Sequence, residues 1–441
     1  MRAGLGDLED RLASLHEVAR SQALVLEKFF KLKTPRKETT RRTPTIFHTK
    51  GREQVALANF VFQGGGVLGI AHLGFLHAME AIGVRAVGVA GTSAGAIVAI
   101  LIVAARGRNP WYPVADRLLP FLSAMPASSF IDGPYTARRL IKFFLKHKNI
   151  ANLEMTVPLV SSARRLLRAF GLNSGNTFQD WLSGLLEKEF DVRTVDDLTR
   201  NVESVAAELK LRNVDSHLLL QIIATALPQA GATSIPLGTK FVFPRDYVVL
   251  SPIYGYQSPA LMARASMSVP LFFEPLVLNL DRTGWEEMIE RTFGALSKDT
   301  RHELATAPSV AFVDGGLLSN FPIDAFARVS KNKTGHRDSF HEIPTLGVAL
   351  SSSGRFERST AKKGVPAFLH HLSAVIDGMR HARDRDAAST ANKSGSQHVR
   401  IALIDVGQHG WLNFQLEEHD IRDLFLRGVD AATSFIEDLK I

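Results

Sequence analysis

Residues 86–105 carry no charge, and at their middle stands Gly91-Thr92-Ser93-Ala94-Gly95. An uncharged run of this length is long enough to cross a bilayer. Three glycines, Gly88, Gly91 and Gly95, crowd its first half, and residues 87–90 have the apolar texture of a buried strand. A strand, a tight turn and a buried helix account for it better. The same order stands just upstream: residues 57–66 read as a strand entering Gly64-Gly65-Gly66, and residues 67–82 as a helix. Two such units in succession predict an α/β domain around a mainly parallel sheet. Further strands are expected at 218–227, 241–250, 310–316, 343–351 and 398–406, and a last helix at 416–439.

Composition agrees with a packed fold. Hydrophobic residues make up 45% of the 441 and charged residues 22%, which excludes global disorder. No cysteine is present, so disulfides, thiolate metal sites and a cysteine nucleophile are excluded. The formal net charge is +8, which favours an anionic partner. Most of that excess is local. Lys31, Lys33, Arg36, Lys37, Arg41, Arg42, Lys50 and Arg52 stand against Glu38 alone, in a Thr-rich stretch broken by Pro35 and Pro44. Residues 33–54 therefore read as a basic linker that can be drawn to anionic lipid.

Ahead of the linker, Leu8, Leu12, Leu15, Ala19, Gln22, Leu26 and Phe29 recur at spacings of three and four. That is one stripe of a helix over residues 7–32, either docked on the main domain or pairing two copies of the chain. The N-terminus lacks the apolar core and small-residue cleavage site of a signal peptide, so a cytoplasmic protein is expected, peripheral at membranes. The division expected is 1–54 as N-terminal helix and linker and 55–441 as one domain. Within that domain, residues 108–190 are helical and basic. Arg138, Arg139, Lys142, Lys146 and Lys148 lie among apolar residues, as do Arg164, Arg165 and Arg168. Such helices have either ordinary solvated faces or an interfacial surface. Residues 279–308, with Trp285 and a run of charges, look like an insertion.

Three segments carry chemistry. In Gly91-x-Ser93-x-Gly95 a serine lies between strand and helix, the context of a nucleophile elbow. The glycines allow the turn, and the helix N-terminus favours developing negative charge. Gly64, Gly65 and Gly66, followed by Gly69, also fit a dinucleotide fingerprint. The acidic residue expected some 20 positions later is missing, because the next strand runs straight into the serine turn. Bare backbone amides suit an oxyanion hole instead. The third segment is Asp314-Gly315-Gly316, after the apolar strand 310–313, and it is expected at the carboxyl edge of the parallel sheet with the other two. A serine needs a base. His341, His370, His371, His398, His409 and His419 are available, but none has a distinguishing context; Asp314 does.

These segments, in this order, resemble patatin-like phospholipases. Phe178, Trp181 and Leu182 after Gly175, the segment 265–275, and Asn320-x-Pro322 extend the likeness to residues 57–441. The resemblance implies a three-layer α/β/α fold with a mainly parallel central sheet. It implies a lipid acyl hydrolase of phospholipase A or lysophospholipase type, with Ser93 as nucleophile and Asp314 as base. The amides at Gly64, Gly65 and Gly66 would be the oxyanion hole, and Gly69, Gly91, Gly95, Gly315 and Gly316 motif positions. Its partners would be a phospholipid or other acyl-lipid substrate and an anionic membrane surface; neither cofactor, metal nor nucleic acid is expected. One departure concerns Leu68, where many relatives carry Arg or Lys and some acylglycerol lipases an apolar residue. Substrate preference is therefore open between phospholipid and neutral lipid. Two rivals stand beside this reading: an oxidoreductase using Gly64 to Gly69, and a non-catalytic membrane- or nucleic-acid-binding protein on a hydrolase scaffold.

Overall fold

The computed structural model of the chain describes residues 2–34, 45–49, 52–138, 166, 168–211, 216–228, 239–248, 257–278, 310–326, 343–351 and 399–439. Helices α1 (Arg2–Ser21) and α2 (Ala23–Phe29) lead into the short strand β1 (Lys31–Lys33). Then come β2 (Val55–Phe62), α3 (Gly69–Ala81), β3 (Val84–Thr92), α4 (Ala94–Arg106) and α5 (Ala115–Ser123). Helices α6 (Asn176–Phe190) and α7 (Val195–Glu208) precede β4 (Leu220–Pro228), β5 (Thr239–Phe243) and α8 (Ala260–Ser266). The chain continues with β6 (Leu276–Leu278), β7 (Val310–Asp314), β8 (Thr345–Ser351), β9 (Val399–Asp405) and α9 (Glu418–Glu437).

These nine strands form one sheet, in the order β6-β7-β4-β3-β2-β8-β9, with β1 on β2 and β5 on β4; two short pairings, 48–49 with 52–53 and 171–173 with 271–273, stand apart from it. Pairs β4–β3, β3–β2, β2–β8 and β8–β9 are parallel. This is the expected three-layer α/β/α arrangement with a mainly parallel sheet. Strands β2 and β3 are buried along their whole length, as parallel strands covered on both faces must be. The uncharged run 86–105 is a strand followed by a buried helix. Among the described residues, no helix is long and apolar enough to cross a membrane.

Three expectations change. The strand expected over 241–250 stops at Phe243, and residues 245–248 turn helical. Pro244 intervenes, and proline has no amide for a ladder. The N-terminal helical segment breaks at Gln22 and ends at Phe29, after which residues 31–33 run antiparallel along β2. Finally, β7 runs antiparallel to β4, so Asp314 does not end a parallel strand. The helix stripe is used within the chain: Leu15, Ala19 and Leu26 are fully buried. Arg11 pairs with Asp430, and Arg422 with Asp7 at 3.2 Å, tying α1 to α9. The insertion 279–308, most of the basic stretch between 139 and 165, and residues 35–44 of the linker lie outside the described residues.

Candidate active site

The turn from β3 to α4 places Ser93 at φ 52°, ψ −117°, outside the usual regions for a side-chain-bearing residue. The flanking glycines make that turn feasible. A Cβ on Gly91 would lie 2.3 Å from the Gly95 carbonyl carbon, and one on Gly95 would lie 2.3 Å from the Phe62 carbonyl oxygen. Ser93 thus heads α4, with its side chain nearly buried at 4% exposure.

The strained turn is pinned from outside. The Ser93 N–H donates to Ser266 Oγ at 2.8 Å, and that hydroxyl donates to the Ile223 carbonyl at 2.5 Å. The same segment holds the aspartate: Asp314 N–H donates to Ser268 O at 2.8 Å, and Gly315 N–H to Ser266 O at 3.3 Å. Arg264 anchors the segment in turn. Its guanidinium donates to Ser268 Oγ and to the carbonyls of Ser174 and Glu274. Burial pushes the Arg264 guanidinium down to about 10, against the pull of Asp132 and Glu274.

Register explains how an antiparallel strand delivers Asp314 to the same place. Strand β5 occupies one edge of β4 over residues 222–226, and on the other edge β3 and β7 meet end to end, Thr92 opposite Ile223 and Asp314 opposite Ala224. Strand β4 runs past both ends, so the last residue of β7 comes level with the end of β3. Asp314 is 1% exposed, and its Oδ1 accepts the Gly316 N–H at 2.7 Å.

The glycine loop leaves β2 on the other side of β3. Gly64 N–H donates to the Asn320 carbonyl at 2.9 Å, and Asn320 Nδ2 returns to Gly64 O at 3.3 Å. That amide is engaged, so the expected trio narrows to Gly65 and Gly66 as candidate donors. Thr92 Oγ1 donates to Ser319 O at 2.8 Å, so the turn after Asp314 ties to both the serine and the glycine segments. Behind the loop, His72 of α3 meets the Gln63 carbonyl through Nε2 at 2.8 Å. A carbonyl only accepts, so Nε2 carries the proton. Burial pushes this imidazole down to about 4, and it is neutral at pH 7. Gly69 starts α3, and a Cβ there would sit 3.5 Å from Ala94 Cβ, so the two helix starts nearly touch.

Ser93 opens into a chamber of about 40 Å³ walled by Phe130, Phe178, Met267, Phe273, Trp411 and Leu412. A larger cavity of about 560 Å³ adjoins it and shares Gly66, Val67, Ala94, Ile97, Met125 and Phe414 with it. Its lining also includes Ser128, Ser129, Gln415 and Glu417, and no Lys or Arg lines either space among the described residues. The buried Leu68 supplies no cation either. Sequence reasoning did not find Trp411, Leu412 and Phe414. Three large apolar residues within a turn-rich stretch between β9 and α9 were the available signal.

Of the late histidines, the two among the described residues pair with carboxylates other than Asp314. His409 pairs with Asp423 and Asp420, and His419 is exposed beside Glu417 and Asp420. His341, His370, His371 and His398 lie outside the described residues. Among the described residues, no group of three or more His, Asp or Glu side chains is placed to hold a metal ion.

Comparison with known proteins accords with this geometry. The sequence model of the patatin-like phospholipase family matches residues 60–327, more than half of the chain. A Bacillus subtilis (strain 168) relative, the uncharacterized protein YqhO, is 28% identical over 364 residues, covering 79% of this chain and 94% of the relative. Among solved structures, the crystal structure of VipD from Legionella pneumophila matches 92% of this chain and 72% of its own, at 14% identity and a TM-score of 0.30. That superposition is too loose to carry an argument. The chain belongs to the patatin-like phospholipase family. In general terms this makes it a lipid acyl hydrolase, with a lipid as substrate.

Proposed function

We propose that the chain hydrolyses fatty-acyl esters of phospholipids through a Ser93–Asp314 dyad and an acyl-enzyme. One observation carries the reading: a serine in a strained strand–helix turn, an aspartate one register step beyond it, and a glycine loop on the neighbouring strand. In the reaction, Asp314 accepts the Ser93 Oγ proton as the oxygen attacks the ester carbonyl. The Gly65 and Gly66 amides hold the tetrahedral oxyanion, each donor worth roughly 3 kcal/mol in other hydrolases. Collapse breaks the bond to the alcohol, a lysophospholipid, which leaves with the proton from Asp314. A water then gives its proton to Asp314 and attacks the acyl-Ser93 ester, releasing the fatty acid and regenerating the serine.

The mostly apolar cavity beside Ser93 suits an acyl chain, with the headgroup towards solvent. A neutral acylglycerol is the second reading, favoured by the lack of Lys or Arg in the described lining and by Leu68 at a position often cationic in relatives. We take residues 55–441 as the catalytic unit, with the described part of 1–54 packed against it. The basic run 31–52 would bring a cytoplasmic, peripheral enzyme to anionic membranes. Self-association through the N-terminal helices would have to use the side carrying the exposed Leu24, since Leu15, Ala19, Leu26 and Phe29 of the stripe are buried.

The test is acyl release from anionic phospholipid vesicles and from diacylglycerol emulsions, wild type beside Ser93→Ala and Asp314→Asn. Both substitutions should lower turnover by roughly 10³-fold or more while leaving the fold intact. Substantial hydrolysis by both variants would overturn the dyad, and a clear preference for the emulsion would select the neutral-lipid reading.

A further inference from the structure

The stretch between β9 and α9, residues 406–417, lies beyond the part of the chain that the family model matches. It nevertheless crosses the candidate site as a strap. Its carbonyl at Trp411 accepts the Val67 N–H at 3.1 Å. Gly66, at φ +56°, packs so closely beneath it that a Cβ would lie 2.1 Å from Trp411 O. The strap therefore sets where the glycine loop sits. It is itself moored to α9, where His409 Nε2 meets Asp423 at 3.0 Å and Nδ1 lies 3.6 Å from Asp420.

Past Trp411, the strap supplies Leu412 and Phe414 to the Ser93 chamber, and Phe414, Gln415 and Leu416 to the larger cavity. Phe414 belongs to both. Its ring lies parallel to Phe272 at 5.1 Å and edge-on to Phe273 at 6.3 Å, so it is held in place rather than free to swing. The chamber at Ser93 is small, with room for roughly three water-sized groups. An acyl chain of more than a few carbons needs the adjoining 560 Å³, and Phe414 is the largest of the side chains, with Val67, Ile97 and Met125, that line both spaces.

The geometry points to Phe414 as the residue that selects acyl-chain length, by narrowing the passage from the Ser93 chamber to the larger cavity. This rests on the reading of Ser93 as the acyl-accepting nucleophile. Its measurable consequence is a ratio, kcat/KM for a long-chain ester over that for a short one.

The experiment uses the full-length protein and p-nitrophenyl esters from butyrate to palmitate, with Ser93→Ala as the blank. Phe414→Ala should raise the palmitate-to-butyrate ratio about tenfold, and Phe414→Leu should raise it less. Phe414→Trp should lower it. Circular dichroism and melting curves check that each variant is folded, and the Leu and Trp variants keep the comparison alive if the Ala variant does not fold. Folded variants that all keep the wild-type ratio would overturn the assignment of Phe414 while leaving the serine mechanism standing. Wild-type turnover no greater than that of Ser93→Ala on every ester would remove the mechanism, and this assignment with it.

Discussion

A single hydroxyl, that of Ser266, touches the turn on which the proposed chemistry depends. Ser93 adopts a backbone conformation that costs about 1–3 kcal/mol wherever it occurs, so something must hold it. Ser266 Oγ does so by accepting the Ser93 amide while its own backbone carbonyl accepts Gly315 N–H. Ser266→Ala is expected to lower kcat on the order of tenfold to a hundredfold with little change in KM, and to cost about 1–2 kcal/mol of stability. Ser266→Thr, which keeps the hydroxyl, should recover part of the loss. Wild-type kcat in Ser266→Ala would show that the turn holds itself. At this scale the sequence was legible where chemistry announces itself locally. Ser93 stands between a strand and a helix pattern, and Asp314 follows an apolar run. The role of Ser266 was not legible, because its contact spans 173 positions of chain and leaves no local pattern.

Helix α3 carries two buried titrating groups with opposite tendencies. His72 is pushed down to about 4, and Glu80 is pushed up to about 7 by burial, against the pull of Arg85, of the Ala115 and Val114 amides and of His77. Glu80 has a structural role, since its oxygens accept the N–H groups of Val114 and Ala115, which start α5 and whose own cap position is a valine with no side-chain acceptor. Folding makes His72 harder to protonate, so its contribution to stability is present above about pH 6.5 and lost as pH falls towards 4. Folding makes Glu80 easier to protonate, so its contribution is present below about pH 4.5 and lost as pH rises towards 7. Between about 4.5 and 6.5 the two slopes oppose each other. In Glu80→Gln the His72 slope should stand alone, and the unfolding free energy should climb with pH by about 2 kcal/mol more than in the wild type across that window. Parallel stability curves from urea titrations at several pH values would contradict this. Strand direction was the element-scale feature hidden from sequence. The apolar texture of 310–313 marks a strand but says nothing of which way it runs, and only pairing with β4 reveals that it runs backwards.

Across the whole molecule, the N-terminal helices behave as part of the main body's packing. Leu15, at 0% exposure, sits in the same apolar core as α9 and the sheet. Leu15→Ala should therefore lower the unfolding free energy by about 3 kcal/mol in a single cooperative transition, followed by far-UV circular dichroism in denaturant. A separate early transition for the N-terminal segment would argue instead for an independent appendage. The overall architecture was readable because two strand–turn–helix units in tandem admit few folds. A helix docked on the main domain was readable, but its seat on α9 and the strap at 406–417 were not, since each joins segments far apart in the chain.

The register that brings Asp314 level with Ser93 has a consequence for the chain during synthesis. The Ser93 turn emerges early, yet its proposed base waits for residue 314 and the wall of its chamber for residues 411–414. A ribosome-bound chain, or one cut short by a nonsense codon, carries the serine without the partners that would make it reactive. On the proposed dyad, lipid acyl hydrolysis therefore starts only once the chain has been made through residue 414.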